Sequence, residues 1–220
     1  MYSTIVYDLD GTLLDSAATV VALLNGLRAE RAMPPLTRKD CTRWLSIGGK
    51  TMVAAALDIP ELEAQPFLDT FRARYQALPT DPAILYPAVL DTLSELKTLG
   101  VRLGLCTNKP RPLTDKILAE TGLGAYFSTV CAGLALPTCQ PPPDTLPACR
   151  KGRGSRAEDT LVVGDSRVDQ TLAETCGTDF CFFSGGYDDG VRQDACTLTL
   201  KHHDEILNLY SSIEKRAHHE

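Results

Sequence analysis

The sequence predicts an α/β protein that has a doubly wound parallel sheet and an inserted all-helical cap. Three observations lead to this fold class. The chain opens on a short β-branched strand, strands and helices alternate from residue 82 onward, and only helical patterns occur between these two parts. We therefore assign residues 1–15 and 82–220 to the core and residues 16–81 to the cap.

The first strand covers residues 3–7, where apolar β-branched residues indicate a buried strand. The cap region follows as a series of segments with apolar residues at helical spacing, interrupted by prolines and by a glycine-containing loop at residues 46–50. We predict its helices at residues 17–31, from Thr37 through Trp44, at 51–57 and at 61–78.

In the second part of the core, short apolar runs alternate with helices that end at glycines. Predicted strands cover residues 101–106, 127–131, 160–164, 179–183 and 197–200. Predicted helices cover residues 88–99, 112–121, a segment that ends near 176, and 204–209, and a proline-rich stretch at 136–144 precedes a further short helix. In parallel sheets of this kind, ligands bind beyond the carboxyl ends of the strands.

Composition and charge exclude several classes of function. The 28 acidic residues exceed the 22 Lys and Arg residues, and a net charge of −6 lacks the basic footprint of general nucleic-acid binding. No apolar run reaches the roughly 20 residues that a membrane-spanning helix needs, and the first strand begins too early to leave room for a signal peptide. Because the eight cysteines form no C-x-x-C pair, we predict reduced thiols in a cytoplasmic protein. The histidine pairs at 202–203 and 218–219 are interpreted as solvated residues.

Carboxylates and other polar groups follow three of the predicted strands. Asp8 and Asp10 stand two residues apart after the first strand, so their side chains start on the same side of an extended chain. Anions this close repel each other and require a nearby cation or a raised pKa. Thr107 and Asn108 follow a second strand, and Asp165 follows a third. In a parallel sheet these groups meet at one edge, so the sequence predicts a single pocket there.

These residues belong to motifs that resemble a known family. The segment DLDGTLLDS from Asp8 closely resembles the first motif of the haloacid dehalogenase superfamily of phosphohydrolases. The segments CTNKP from Cys106 and VVGDSRVD from Val162 resemble its second and fourth motifs. Together with the Tyr-Pro pair at 86–87 and the Gly-Gly-Tyr run at 185–187, they are most similar to the phosphoglycolate phosphatase branch.

The resemblance implies a role for each of these residues. Asp8 would be the nucleophile that takes up phosphate, and Asp10 would be the general acid/base. Thr107, Asn108 and Gly11 would bind the phosphate. Mg²⁺, which prefers oxygen ligands, would be held by four residues: Asp8, Asp10 through its backbone carbonyl, Asp165 and Asp169.

Three assignments leave alternatives open. Asp169 follows Ser166 by three residues ahead of a helix, which also fits a capping box, and the two roles are compatible. Thr107 would also be able to cap the helix after it, although its place at a strand end favours phosphate contact. Lys50 in the cap loop is a candidate substrate contact, or else a solvated lysine.

This chain departs from the family at the third motif. Gln140 occupies the position at which the family has a lysine, and glutamine donates hydrogen bonds but carries no charge. We place Gln140 in the phosphate-binding set instead of that lysine. Lys109, Arg150 and Lys151 are candidates to supply the missing charge from neighbouring loops.

The resulting prediction is a magnesium-dependent phosphatase that acts on a small phosphorylated metabolite through an aspartyl-phosphate. It would be a monomer or a homodimer without nucleic-acid or membrane partners. A phosphomutase shares most of the motifs, whereas Asp10 speaks against a dehalogenase, which needs no second Asp. Outside the enzymes, a catalytically weakened binding or regulatory protein is the rival, because Gln140 replaces a cation.

Overall fold

The computed structural model describes residues 1–133 and 156–211. Six strands form one sheet in the order β3-β2-β1-β4-β5-β6, and every neighbouring pair is parallel. The strands are β1 (Thr4–Tyr7), β2 (Arg102–Thr107), β3 (Thr129–Ala132), β4 (Thr160–Gly164), β5 (Asp179–Phe183) and β6 (Leu198–Leu200).

Within the described residues, the α-helices alternate with these strands or fill the stretch between β1 and β2. They are α1 (Ala17–Ala29), α2 (Arg38–Leu45), α3 (Gly49–Leu57), α4 (Gln65–Ala77), α5 (Val89–Thr98), α6 (Arg111–Thr121) and α7 (Arg167–Cys176). A 3-10 helix at His203–Leu209 packs against α5. Among these helices, none is both long enough and apolar enough to cross a bilayer.

The strands place apolar layers on both faces of the sheet. All four residues of β1 are buried, and successive side chains of a strand point to opposite faces. Ile5 and Tyr7 accordingly join the larger apolar cluster, which includes residues of α5, α6 and the cap helices. Val6 joins a second cluster with Leu172 of α7. Helices therefore cover both faces, and the predicted doubly wound class is confirmed.

The cap helices α1 to α4 pack on one another and join the core through two chain segments. Leu14 on the way out pairs antiparallel with Leu85 on the way back. Beside this pair, the N–H group of Asp15 donates to the carbonyl of Ile84 at 2.8 Å. The chain thus leaves and re-enters the core at one place, while the exact bounds of the cap, 16–81, stay a prediction.

Several predicted bounds differ from the structure. α3 begins inside the predicted loop at 46–50, so Lys50 lies in the first turn of a helix. The predicted helix at 61–78 is divided into a 3-10 turn, Glu61–Glu63, and α4, because Pro66 lacks an N–H group and is accommodated only in the first turn of a helix. The bounds of β4 and β5 agree with prediction. The proline-rich stretch at 136–144 lies outside the described residues.

Candidate active site

Three neighbouring strands bring the predicted site residues to one edge of the sheet. β1 pairs with β2 on one side and with β4 on the other, with Tyr7 level with Val163. Asp8 follows β1 and therefore lies between Thr107, the last residue of β2, and Asp165, which follows β4. The N–H group of Asp8 donates to the carbonyl of Val163 at 3.0 Å, which fixes the backbone at this point.

The carboxylates of Asp8, Asp165 and Asp169 form one group, with an oxygen of each within 4.8 Å of the others. Burial raises the pKa of Asp8 well above its usual value, and the nearby Asp169 and Asp165 raise it further. Burial also raises the pKa of Asp165, and raises that of Asp169 to about 6. A divalent cation with oxygen ligands would relieve this repulsion, so the donor set fits the predicted Mg²⁺.

The carboxylate of Asp165 is held on several sides. Its Oδ1 accepts a hydrogen bond from the Thr12 hydroxyl at 2.9 Å, and its Oδ2 accepts one from the N–H group of Tyr187 at 2.7 Å. A Cβ atom on Gly11 would lie 2.2 Å from Asp165 Oδ2, and one on Gly186 would lie 2.3 Å from Asp165 Cβ. Only glycine leaves room for the carboxylate at these two positions. Gly11 thus leaves space for the carboxylate of Asp165, while the contact of Gly11 with phosphate stays a prediction.

Asp169 has the capping role that the sequence left open, while its role as a metal ligand stays a prediction. The Ser166 hydroxyl accepts from the N–H group of Asp169 at 3.4 Å, and Asp169 Oδ2 accepts from the N–H group of Ser166 at 3.0 Å. These bonds are a capping box at the start of α7. Because the capping bonds use Oδ2, they leave Asp169 able to contact a metal through Oδ1.

Asp10 faces a lysine of the loop after β2. Lys109 Nζ donates to the two carboxylate oxygens of Asp10 at 3.0 and 2.9 Å, and the Ser16 hydroxyl donates to one of them. Burial alone would favour a neutral amine, but the Asp10 carboxylate raises the pKa of Lys109 and keeps it charged. Lys109 Nζ also lies 4.5 Å from the ring centre of Tyr75 in α4, at cation–π distance. This contact connects the site to the cap.

Thr107 and Asn108 lie at the end of β2, which is the strand next to the one that leads to Asp8. Thr107 is buried, and its hydroxyl accepts from the N–H group of Lys109 at 3.3 Å. α6 begins at Arg111 with Pro110 as its N-cap residue, so the alternative role of Thr107 as a helix cap is wrong. The contact of Thr107 and Asn108 with phosphate stays a prediction.

A cavity of about 1050 Å³, counting its open mouth, lies between core and cap. The core side is polar and includes Asp8, Asp10, Asp169 and Lys109. The cap side is mostly apolar and is lined, among others, by Val20, Leu45, Ile47, Met52, Leu68 and Phe71. A substrate in this cavity would therefore meet charged groups at the core end and mostly apolar side chains on the cap side.

One predicted site residue is not brought into this group, and another lies outside the described residues. Lys50 is exposed in the first turn of α3 and does not line the cavity, although Gly48 and Gly49 beside it do. Its contact with substrate stays a prediction. Gln140 lies outside the described residues, and so do the candidate cations Arg150 and Lys151.

Two residues lie in surroundings that the sequence does not predict. His203, interpreted as solvated, is buried and stacks on the Phe183 ring at 4.4 Å between ring centres, so that interpretation is wrong. A polar sequence context gives no sign of such a long-range contact. Tyr75 was not singled out either. Its position in the apolar pattern of α4, with Leu68 and Phe71, is the signal that could have placed it on the cap face toward the core.

Comparison with known proteins agrees with this geometry. The family model described as "Haloacid dehalogenase-like hydrolase" matches residues 5–183. Phosphoglycolate phosphatase 1 of Pseudomonas aeruginosa is 33% identical over 212 residues, which cover 92% of this chain and 78% of that protein. Phosphoglycolate phosphatase of Cereibacter sphaeroides is 34% identical over 211 residues, which cover 93% and 96%.

Solved structures show the same fold. A predicted phosphoglycolate phosphatase from Haemophilus somnus 129PT superposes with a TM-score of 0.81 at 25% identity, covering 95% of this chain and 98% of that one. The resemblance inferred from the motifs, including that to the phosphoglycolate phosphatase branch, is thereby confirmed, as is the enzyme class of phosphoric monoester hydrolases. The chain belongs to the haloacid dehalogenase-like hydrolase family.

Proposed function

We propose that this protein is a Mg²⁺-dependent phosphatase that hydrolyses a small phosphorylated metabolite, with 2-phosphoglycolate as the first candidate. The observation that carries the proposal is the grouping of Asp8 with Asp165 and Asp169 at the edge of a cavity that Asp10 and Lys109 also line. The names of the relatives from Pseudomonas aeruginosa and Cereibacter sphaeroides support the choice of substrate.

The carboxylates of Asp8, Asp165 and Asp169 would hold the metal. When bound, Mg²⁺ neutralises charge between the carboxylates and the phosphate dianion and orients the two for reaction. Thr12 and the Tyr187 N–H group keep Asp165 in place for this role. The remaining steps belong to side chains of the protein.

In the first step, a carboxylate oxygen of Asp8 attacks phosphorus, and the bond between phosphorus and the ester oxygen breaks. Asp10 gives its proton to that oxygen, which leaves as an alcohol. The product on the enzyme is an aspartyl-phosphate. Splitting the hydrolysis in this way replaces one slow displacement by two easier ones.

The contact between Lys109 and Asp10 couples phosphate binding to proton transfer by Asp10. Lys109 donates hydrogen bonds to both carboxylate oxygens of Asp10. An arriving phosphate dianion competes for the same ammonium group. As Lys109 turns to the phosphate, it releases the carboxyl group of Asp10, which then faces the leaving oxygen.

In the second step, Asp10 acts as the base. It takes a proton from water, whose oxygen attacks phosphorus, and the bond to Asp8 breaks to release inorganic phosphate. The two hydrogen bonds from Lys109 hold the carboxylate of Asp10 in position for this step. The apolar cap wall keeps other water away from the reactive acyl phosphate.

Phosphate release from 2-phosphoglycolate and from p-nitrophenyl phosphate, with and without Mg²⁺, tests the proposal. We expect turnover of both esters with Mg²⁺ and none after chelation. Rearrangement of a sugar phosphate without phosphate release would instead identify a phosphomutase. Binding of phosphate esters without turnover of any of them would identify a binding protein.

A further inference from the structure

Helix α4 presents a single face to the cavity. The residues of this face are spaced three and four apart, as one side of an α-helix requires: Leu68, Phe71, Arg72 and Tyr75. Three of them are buried and apolar or aromatic. The fourth, Arg72, places a permanent positive charge in an otherwise apolar cap wall.

Arg72 has no carboxylate or other hydrogen-bonding partner within residues 1–133 and 156–211. Arg74, two positions further along the same helix, is paired with Glu30 at 2.5 Å on the outside of the cap. Among the described residues that line the cavity, the cations are Arg72 and Lys109, and Lys109 is already bonded to Asp10. Arg72 is thus the cavity cation left without an anion there.

Arg72 lies about one helical turn from Tyr75, the residue of α4 that contacts the site. Tyr75 contacts Lys109, and Lys109 holds Asp10. Arg72 lies three residues before Tyr75, which is a rise of about 4.5 Å along the helix. Because Arg72 and Asp8 line the same cavity, a substrate whose phosphate sits at Asp8 has Arg72 available as a contact for its far end.

We propose that Arg72 binds a carboxylate of the substrate and makes the enzyme select short phosphorylated carboxylic acids over neutral phosphate esters. The planar guanidinium fork matches the two oxygens of one carboxylate. The buried hydroxyl of Ser46, which has no hydrogen-bond partner among the described residues and also lines the cavity, offers a further donor. A single cation suits one negative charge better than a second phosphate dianion. This inference rests on the proposed function, which it deepens.

The test compares esters that differ at the far end alone. For wild type and Arg72→Gln, kcat and KM are measured on 2-phosphoglycolate, on ethylene glycol monophosphate, which lacks the carboxylate, and on ethane-1,2-diol bisphosphate. We expect Arg72→Gln to lower kcat/KM for 2-phosphoglycolate about 10- to 100-fold, mainly through KM, as for a lost charged hydrogen bond. The value for ethylene glycol monophosphate should change less than about twofold, within the spread of a peripheral substitution.

Two variants serve as controls. Arg72→Lys keeps the charge without the fork and should restore part of the loss on 2-phosphoglycolate. Arg74→Gln removes an arginine of the same helix that faces Glu30 and should leave both esters unaffected. Equal losses on both esters in Arg72→Gln, or no loss on either, would overturn the proposal. A wild-type preference for the bisphosphate that Arg72→Gln abolishes would also overturn it.

A binding measurement tests the role of Arg72 independently of the phosphatase activity. In a protein with Asp8→Asn, calorimetric titration of 2-phosphoglycolate reads affinity without turnover. A weaker affinity in Asp8→Asn/Arg72→Gln than in Asp8→Asn supports the role of Arg72 even if the wild type hydrolyses neither ester. Unchanged affinity contradicts it even if the phosphatase activity is present.

Discussion

The imidazole of His203 lies 2.8 Å from the carbonyl oxygen of Thr12, although 191 residues separate the two in the chain. As Nε2–H, the ring donates to this carbonyl, while the hydroxyl of Thr12 holds Asp165. Burial lowers the pKa of His203 to about 4, so the ring is neutral at pH 7. A residue near the C-terminus thereby supports the loop that contains the candidate catalytic residues.

This contact predicts a loss of stability at acid pH. The pKa of His203 is lower in the folded protein than its value of 6.5 in an unfolded chain, so the unfolded state takes up more protons between about pH 6.5 and pH 4. The contribution of His203 to the free energy of unfolding is fully present above pH 6.5. It decreases by roughly 3 kcal/mol as the pH falls toward 4. Chemical denaturation of wild type and His203→Gln across this range measures the difference. Parallel pH dependences of the two proteins would contradict the prediction.

Asp8→Asn should abolish phosphatase activity, because an amide is unable to form the acyl phosphate. The fold should remain intact, and in the absence of metal the variant should melt at a higher temperature than wild type. Burial and the neighbouring carboxylates disfavour the charge of Asp8, and the substitution removes that charge. Asp115→Asn, at an exposed ion pair with Arg111, is the control. Substantial turnover in Asp8→Asn would disprove the covalent route.

Mg²⁺ should stabilise the folded protein even without substrate, because the unfolded chain does not assemble the three carboxylates. At a concentration of 100 times its Kd, the ion should add about 2.7 kcal/mol to the free energy of unfolding. Asp165→Asn should remove most of this gain, whereas Asp204→Asn, at an exposed position, should keep it. Thermal denaturation with increasing Mg²⁺ measures both. An equal gain in wild type and Asp165→Asn would place the ion elsewhere.

Lys109→Met should lower kcat by about 10²- to 10³-fold, the usual loss for one preorganised donor in a charged transition state. If Lys109 replaces the lysine that is missing at position 140, Gln140→Lys alone should not raise kcat. The same substitution should recover part of the activity in the Lys109→Met protein. Circular dichroism checks that Lys109→Met folds, since Asp10 loses its partner. A marked gain from Gln140→Lys in the wild type would show that Lys109 does not compensate.

The strand-end groups were predictable because their pattern is local. A short apolar run that stops at an aspartate predicts a buried strand with a carboxylate at its end, wherever that strand lies in the sheet. The bounds of β4 and β5 agree with those predicted from the sequence. The predicted convergence of Asp8 and Asp165 then followed from the parallel sheet alone.

The contacts that cross the fold were not predictable in this way. Lys109 was named as a possible cation, but its pairing with Asp10 depends on how the loop after β2 turns. His203 stands in a polar stretch, and the stacking on Phe183 that buries it depends on the position of the last 3-10 helix. Such contacts arise from tertiary packing, for which residue spacing gives no signal.

Leu14 pairs with Leu85 where the chain leaves and rejoins the core, so the two ends of the inserted stretch lie side by side. Because no strand pair of the sheet involves residues between them, the stretch can grow, shrink or be exchanged without shifting any register. The proposed selectivity at Arg72 and the carboxylates at the strand ends therefore lie in separate stretches of the chain. We expect exchange of the inserted stretch to change substrate selectivity while the arrangement of these carboxylates is kept.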